Sequence, residues 1–254
     1  VAFSAAMTGL NELWYKDHPR TSFHFYDDSR EWLQMDKAGH FFASYYFSRI
    51  CTESFRWADM NQKKAAWWGA ATGMFYISGI EFFDAFSEKW GASVSDFFSN
   101  AAGIGLFTFQ EVFWGEQKII PKYSFHNTKY AKYRPDALGE SFIANTVKDY
   151  NGITIWLSAD INALTHKNFM PDWLNLAVGY SADGMTGGFK NPESYGNTQI
   201  PDFKRQRQFF LSIDLNLNKI KTRSAFLNKT LHYLNWIKIP FPAIEFSDKV
   251  KFHY

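Results

Sequence analysis

The sequence predicts an α+β fold with two parts. Residues 1–120 form a bundle of about three main helices, and residues 121–254 form a mixed half with a few antiparallel strands and short helices. Apolar residues recur at helical spacing in the first part, whereas short alternating runs separated by Gly, Asn and Pro occupy the second. We expect the two parts to pack together as one compact unit.

Three stretches of the first part predict the main helices. One runs from 32 to about 57 and another from 62 to 86, where small residues are frequent enough to allow close helix packing. The third begins at Ser93-Val94-Ser95-Asp96, a pattern similar to a capping box, and continues to about Trp114.

Three runs of the second part predict strands: 153–158, 174–180 and 208–217. The last alternates from Leu211 to Leu217, which is typical of a strand with one apolar face. We interpret 121–135 as a linker, and we expect short helices near 136–148 and 222–235.

Composition excludes several classes of protein. With 27 basic and 25 acidic residues, the chain has no large excess of positive charge that would attract nucleic acid. Cys51 is the single cysteine, which rules out an internal disulfide. The longest stretch without a charge, Ala65 to Ile80, is 16 residues long, whereas a membrane span needs about 20. The 20% aromatic content favours an extensive partner surface, or alternatively a rigid aromatic core.

The chain begins Val1-Ala2-Phe3-Ser4, without an initiator Met and without a signal-like basic and apolar segment. We interpret this start as a processed or trimmed amino end.

Polar side chains within the apolar helices form the candidate site. They occur as same-face pairs near helix ends, so packing of these ends would bring several acids and one imidazole together. The members are Asp36, Lys37, His40, Glu81, Asp84, Asp96 and Asn100.

Two interpretations of this cluster remain open. His and carboxylates at helical spacing can bind a divalent ion or act as acid and base. A structural network is the favoured alternative, because the sequence contains no paired Glu-x-x-His or His-x-x-x-His motif, no P-loop and no nucleophile elbow. We therefore predict no catalytic residue, no metal and no cofactor.

Several motifs resemble those of the YfiM-like family of predicted periplasmic proteins. Trp32-Leu33-Gln34-Met35-Asp36-Lys37-Ala38-Gly39-His40-Phe41 is similar to its opening motif, and 80–91 to its second. Ser95-Asp96 with Asn100 and Gly103 is similar to its third. Landmarks of a long form of the family follow in 148–180 and 237–245, so the resemblance covers roughly 10–252.

The resemblance implies a periplasmic protein at the periplasmic face of the outer membrane. In the long form, it implies a non-enzymatic plug subunit that closes the periplasmic end of the type IX secretion translocon, with a giant SprA-like outer-membrane barrel as its partner. Candidate contacts for such a partner are Trp156, Trp173, Tyr180 and Phe210.

Two rival functions stay open. One is a metal-dependent envelope hydrolase that uses the acids and the imidazole of the candidate site. The other, suggested by the ten Trp residues, is an envelope protein that contacts lipid.

Overall fold

A computed structural model describes residues 19–88 and 90–253 and confirms the α+β fold. The expectations for the amino end, 1–18, lie outside the described residues. The chain divides into two compact units. The helical unit comprises Val1–Ser29 and Ala43–Thr108, and the sheet unit comprises Arg30–Phe42 and Phe109–Tyr254. The boundary predicted from the sequence, between 120 and 121, falls inside the first strand of the sheet.

The predicted helices correspond to α1 (Met35–Trp57), α2 (Gln62–Asp84) and α3 (Val94–Phe109). Asn61 caps α2, because its side chain accepts a hydrogen bond from the backbone N–H of Lys64. At the start of α3, the Ser93 hydroxyl accepts from the Asp96 N–H at 3.0 Å. The cap predicted from the sequence is therefore confirmed.

The third helix does not continue as an α-helix to Trp114. Its last turn, Gln110–Trp114, is π-helical and ends at Gly115, which has a left-handed φ of 74°. The buried Gln110 carboxamide oxygen accepts from the N–H groups of Lys118 and Ile119, at 2.9 and 2.8 Å. This side chain therefore connects the helix end to the first strand.

The sheet unit contains a six-stranded antiparallel sheet with the order β1-β2-β3-β6-β7-β8. Its strands are β1 (Ile119–Phe125), β2 (Ile153–Ala159), β3 (Leu174–Asp183), β6 (Gln206–Leu215), β7 (Ala243–Phe246) and β8 (Val250–His253). A small hairpin, β4 (Ser194–Tyr195) and β5 (Thr198–Gln199), lies between β3 and β6. The short helices are α4 (Pro135–Leu138), α5 (Phe142–Lys148), α6 (Ile161–Thr165) and α7 (Ala225–Leu234).

The prediction of a linker at 121–135 was wrong for its first five residues, which belong to β1. Proline is tolerated in a strand at the end of a sheet, and Pro121 lies opposite Leu157 there. The edge of β1 that faces away from β2 contacts the segment 236–238. The Tyr123 N–H donates to the carbonyl of Trp236, and its carbonyl accepts from the Lys238 N–H, at 2.8 and 2.9 Å.

The chain enters α1 through an unusual turn. Trp32, Leu33 and Gln34 have φ values of 47°, 51° and 66°, a left-handed region that non-glycine residues rarely adopt. Contacts within the sheet unit stabilise the turn: the Trp32 N–H donates to the Gly188 carbonyl at 2.9 Å, and the Tyr180 hydroxyl donates to the Leu33 carbonyl. As a result, the first turns of α1 are fixed against the sheet.

The main core of the sheet unit lies beneath these first turns. Met35 packs there with Ile153, Ile155, Ala182 and Met185, all of which are buried. Phe42 extends the contact, since its ring lies 6.0 Å from that of Tyr123.

Candidate docking face and the polar groups behind it

One face of the sheet is apolar and exposed. The strand register places the side chains of Val178, Phe209, Leu211, Ile213, Phe246 and Phe252 on this face, which we call the docking face. Phe209 is 53% exposed, Phe246 45% and Phe252 65%. Exposed apolar patches of this kind are typical of interaction sites.

A groove of about 520 Å³ runs along the docking face beside the first turns of α1. Ala38 and Phe41 form one side, and Leu157, Val178 and Phe209 contribute to the other. The groove is lined by apolar and aromatic residues and by Gly179, so it is suited to an apolar side chain of a partner.

The opposite face of the sheet is polar and buried. Its residues alternate with those of the docking face and include Lys122, Ser158, Asn175, Ser212 and Asp214, which are at most 4% exposed. In a flat sheet β1 and β6 would be about 14 Å apart, because neighbouring strands are about 4.8 Å apart. Nevertheless, the Lys122 ammonium lies 2.7 Å from the Asp214 carboxylate. The polar face must therefore be strongly concave.

Asp214 is the centre of this buried network. Its Oδ2 contacts Lys122 Nζ and accepts from the Ser158 hydroxyl, both at 2.7 Å. Lys238 Nζ lies 3.9 Å from Oδ1, and the Asn175 amide donates to Ser158 at 3.0 Å. A buried ion pair of this kind specifies which strands face one another, because either charge alone would be costly to bury.

Burial lowers the pKa values of the two lysines of this network, Lys122 and Lys238. It lowers the pKa of Lys122, although Asp214 opposes the shift. It lowers the pKa of Lys238 to about 8, again against the effect of Asp214 and with a contribution from the charge of Lys122. Lys238 Nζ also lies 5.0 Å from the centre of the Trp156 ring, which is a favourable cation–π distance.

A second carboxylate, Glu245, lies further along the same concave face. Burial alone would raise its pKa, but hydrogen bonds from Ser247, Lys251, Gln208 and His253 lower the pKa to about 2. The shortest of these contacts joins Glu245 Oε2 and His253 Nε2 at 2.6 Å. Glu245 thus connects the end of the chain to the sheet.

The four predicted partner contacts divide between the two faces. Tyr180 lies on the same side of the sheet as the docking-face residues and lines the groove. Trp173 precedes β3 and is 45% exposed. Trp156 is only 6% exposed and its indole donates to the Ser124 hydroxyl on the concave face. Phe210 is partly buried on the same face, with its ring 5.6 Å from that of Trp156. Contact of these two residues with a partner stays a prediction.

In the sheet unit, the predicted polar residues surround Asp36. Its carboxylate accepts from Lys37 Nζ and from the Tyr150 hydroxyl, both at 2.9 Å, and lies 3.8 Å from His40 Nε2. The ring of Tyr150 in turn contacts Trp32 at 5.5 Å. These contacts link the opening motif of the sequence to the segment before β2.

In the helical unit, Glu81, Asp96 and Asn100 are buried and Asp84 is partly buried. The start of α3 is fixed to Asp28, whose carboxylate accepts from the Ser93 and Ser95 hydroxyls at 2.6 and 2.8 Å. The hypothesis that all seven polar residues converge involves both units and stays a prediction.

The sequence reasoning missed the network around Asp214. A signal was present, because Lys122 and Asp214 each interrupt an apolar run that forms a strand. A charge at one alternate position of an apolar strand indicates either a solvated face or a buried partner. The two residues are far apart in the sequence, so nothing local identified them as a pair.

Fold and site define an α+β protein with an apolar, exposed sheet face backed by a buried ionic network. Residues 24–111 match the model of a family described as "Predicted periplasmic lipoprotein (DUF2279)". This match fits the resemblance to YfiM-like periplasmic proteins and supports a periplasmic location. The curated proteins and the solved structures contain no significant match. Among the described residues, no helix has the length and apolar character needed to cross a membrane.

Proposed function

We propose that the chain is a non-enzymatic plug subunit that closes the periplasmic end of the type IX secretion translocon. In this proposal, the docking face binds a giant SprA-like barrel at the periplasmic face of the outer membrane. The observation that carries it is the exposure of large apolar side chains on one face of a sheet that buries the Lys122–Asp214 pair on the other. The resemblance of the long-form motifs supplies the identity of the partner.

The proposed mechanism is steric. A subunit that blocks a wide pore must resist deformation, and the buried Lys122–Asp214 pair stabilises one arrangement of β1 and β6. The partner surface must exclude water, and clustered aromatic side chains such as Phe209 and Phe246 are typical of the energetic centre of interfaces. Displacement of the subunit by a secreted protein would then open the pore.

Affinity isolation from native membranes in mild detergent tests the proposal. We expect the wild-type chain to recover a giant outer-membrane barrel, and we expect Phe209→Ser/Phe246→Ser to reduce recovery about tenfold or more, because both side chains would lose buried apolar area. Phe226→Ser is the matched control, since Phe226 on α7 is 81% exposed and lies outside the docking face.

Two results would contradict the proposal. Recovery of the chain alone from several mild detergents would exclude a stable barrel partner. A stoichiometric divalent ion that is lost in His40→Ala would instead support the rival hydrolase built on Asp36, His40, Glu81, Asp84 and Asp96.

A further inference from the structure

The helical unit buries many polar residues alongside its apolar ones. Ser44, Ser48 and Thr52 recur every four residues along one face of α1, and each is at most 1% exposed. Asn100 and Thr108 on α3 are buried as well. A water-soluble bundle usually places large aliphatic residues at such positions.

The helices of this unit approach closely through small residues. A Cβ atom added at Gly69 of α2 would lie 2.8 Å from the backbone nitrogen of Thr52. At Gly73 it would lie 3.4 Å from the Cα atom of Ser48. Glycines four residues apart, packed against small polar residues, are typical of helix pairs that associate within lipid, where burial of apolar surface gives no driving force.

Many large apolar side chains of this unit point outward, although Tyr45, Ile104 and Phe107 are buried. Trp68, Phe75 and Phe82 are seven residues apart, which places them along one side of α2. Their exposed fractions are 59%, 73% and 58%. With other exposed residues of the unit they form what we call the aromatic surface: Phe47, Trp67, Trp68, Phe75, Phe82 and Phe98.

Two exposed lysines of the helical unit flank this surface at one end. Ala65 to Ile80 contains no charged residue, a stretch of about 24 Å at 1.5 Å per residue. Lys63 and Lys64 precede it and are exposed, next to Trp67 and Trp68. Trp together with basic residues at the end of an apolar stretch is typical of a membrane–water interface, and the positive charges complement anionic lipid headgroups.

A bilayer fits this surface better than a protein does. Among the described α2 residues between Lys64 and Phe82, the exposed ones are Trp67, Trp68, Ala71 and Phe75. None of them carries a charge. Protein interfaces typically include a hydrogen bond for every 100–200 Å² or so and a polar rim. Lipid chains make no such demand.

We propose that the helical unit binds the surface of an anionic lipid bilayer through the aromatic surface. Trp67, Trp68 and the neighbouring lysines lie at the level of the headgroups, and Phe75 and Phe82 contact the acyl chains. This inference concerns the helical unit alone and does not depend on the proposed docking of the sheet unit.

Vesicle flotation of the full-length chain tests this inference. The vesicles consist either of phosphatidylcholine alone or of phosphatidylcholine mixed with phosphatidylglycerol. We expect the chain to float with the mixed vesicles, and we expect Phe75→Ser/Phe82→Ser to reduce partitioning about tenfold or more, since two phenyl groups leave the apolar phase. Phe226→Ser/Phe169→Ser, which alters comparably exposed aromatic residues of the sheet unit outside the docking face, should leave partitioning unchanged.

A charge variant measures the electrostatic part of binding. Lys63→Glu/Lys64→Glu should abolish the preference for phosphatidylglycerol, whereas Lys221→Glu/Lys229→Glu, at exposed positions of the sheet unit, should retain it. Helical circular dichroism of each variant confirms folding.

Two outcomes would overturn the inference. The wild-type chain fails to float with either kind of vesicle, which would assign the aromatic surface to a protein partner. Alternatively, the Phe226→Ser/Phe169→Ser control loses as much binding as Phe75→Ser/Phe82→Ser, which would show that the aromatic surface is not the contact.

Discussion

The helical unit and the sheet unit both bury polar side chains and expose apolar ones, but they do so in different ways. The sheet unit buries charges, and Lys122, Ser158 and Lys238 all lie close to Asp214. The helical unit buries the acids Glu81 and Asp96 but also a row of small hydroxyl residues, and among the described residues the side chains of Ser48 and Thr52 have no hydrogen-bond partner. Opposite charges specify the arrangement in one unit, and close backbone approach does so in the other.

This difference predicts which substitutions each unit tolerates. The sheet unit should be sensitive to loss of a single charge, because the remaining charge stays buried. The helical unit should be sensitive to added volume, because backbones already touch at Gly69.

The largest effect should follow removal of one charge from the concave face. We expect Lys122→Met to reduce the free energy of unfolding by about 3–5 kcal/mol, because Asp214 would remain buried without its nearest counter-ion. Chemical denaturation measures the loss, and hydrogen exchange should locate it in β1 and β6.

Two controls accompany Lys122→Met. Lys204→Met removes one partner of the exposed Lys204–Asp248 pair and should cost at most about 1 kcal/mol. Lys122→Met/Lys238→Met/Asp214→Leu should recover much of the loss, since all three charges are removed and none is left buried without a partner. Equal costs for the two single variants would contradict the central role of the buried pair.

The next effect concerns pH. The pKa of Lys238 is about 8 in the folded chain and 10.5 in the reference state, so the unfolded chain binds more protons between these values. Stability should therefore rise by about 2–3 kcal/mol from pH 8 to about pH 10. Above this range, the raised pKa of Tyr123, about 12, should reverse the trend, because the tyrosine ionises more readily in the unfolded chain.

Thermal unfolding at a series of pH values measures this effect. The variant Lys238→Met should lack most of the rise, since the titrating group is absent. A wild-type profile that falls steadily from pH 8 would show that the buried ammonium is not destabilised by its surroundings.

The smallest effect should come from one methyl group in the helical unit. Gly69→Ala should destabilise the chain by about 1–2 kcal/mol, because the new Cβ would lie 2.8 Å from the Thr52 backbone nitrogen. Gly79→Ala, in the same helix, has open space and should instead stabilise by about 0.5–1 kcal/mol through helix propensity. Denaturation of both variants gives the comparison, and equal effects would contradict close packing at Gly69.

Local sequence patterns predicted much of the fold. Helical periodicity and the Ser93 cap identified α3, and alternation in Leu211–Leu217 identified β6. The start of β1 was missed because Pro121 and Lys122 interrupt its apolar run. The sequence also could not show whether the face with Leu211 or the face with Asp214 is the buried face of β6. The residue that decides this, Lys122, belongs to a distant strand.

The candidate site was less predictable than the fold. Asp36 and His40 were recognisable from their spacing, but their partner Tyr150 comes from a separate segment of the sheet unit. For the partner contacts, aromatic identity alone could not separate Tyr180 from Phe210, because the two residues lie on opposite faces of the sheet. Strand parity, which the register supplies, was the missing information.

The contact between β1 and residues 236–238 has a consequence for biogenesis. The segment that completes the hydrogen bonding of Tyr123 comes well after β1 and β2 in the chain, so β1 keeps one open edge until residues 236–238 have been made. Pairings between distant segments are slow to form and leave intermediates open to self-association. A chain that stops before Trp236 should therefore be a substrate for chaperones and proteases.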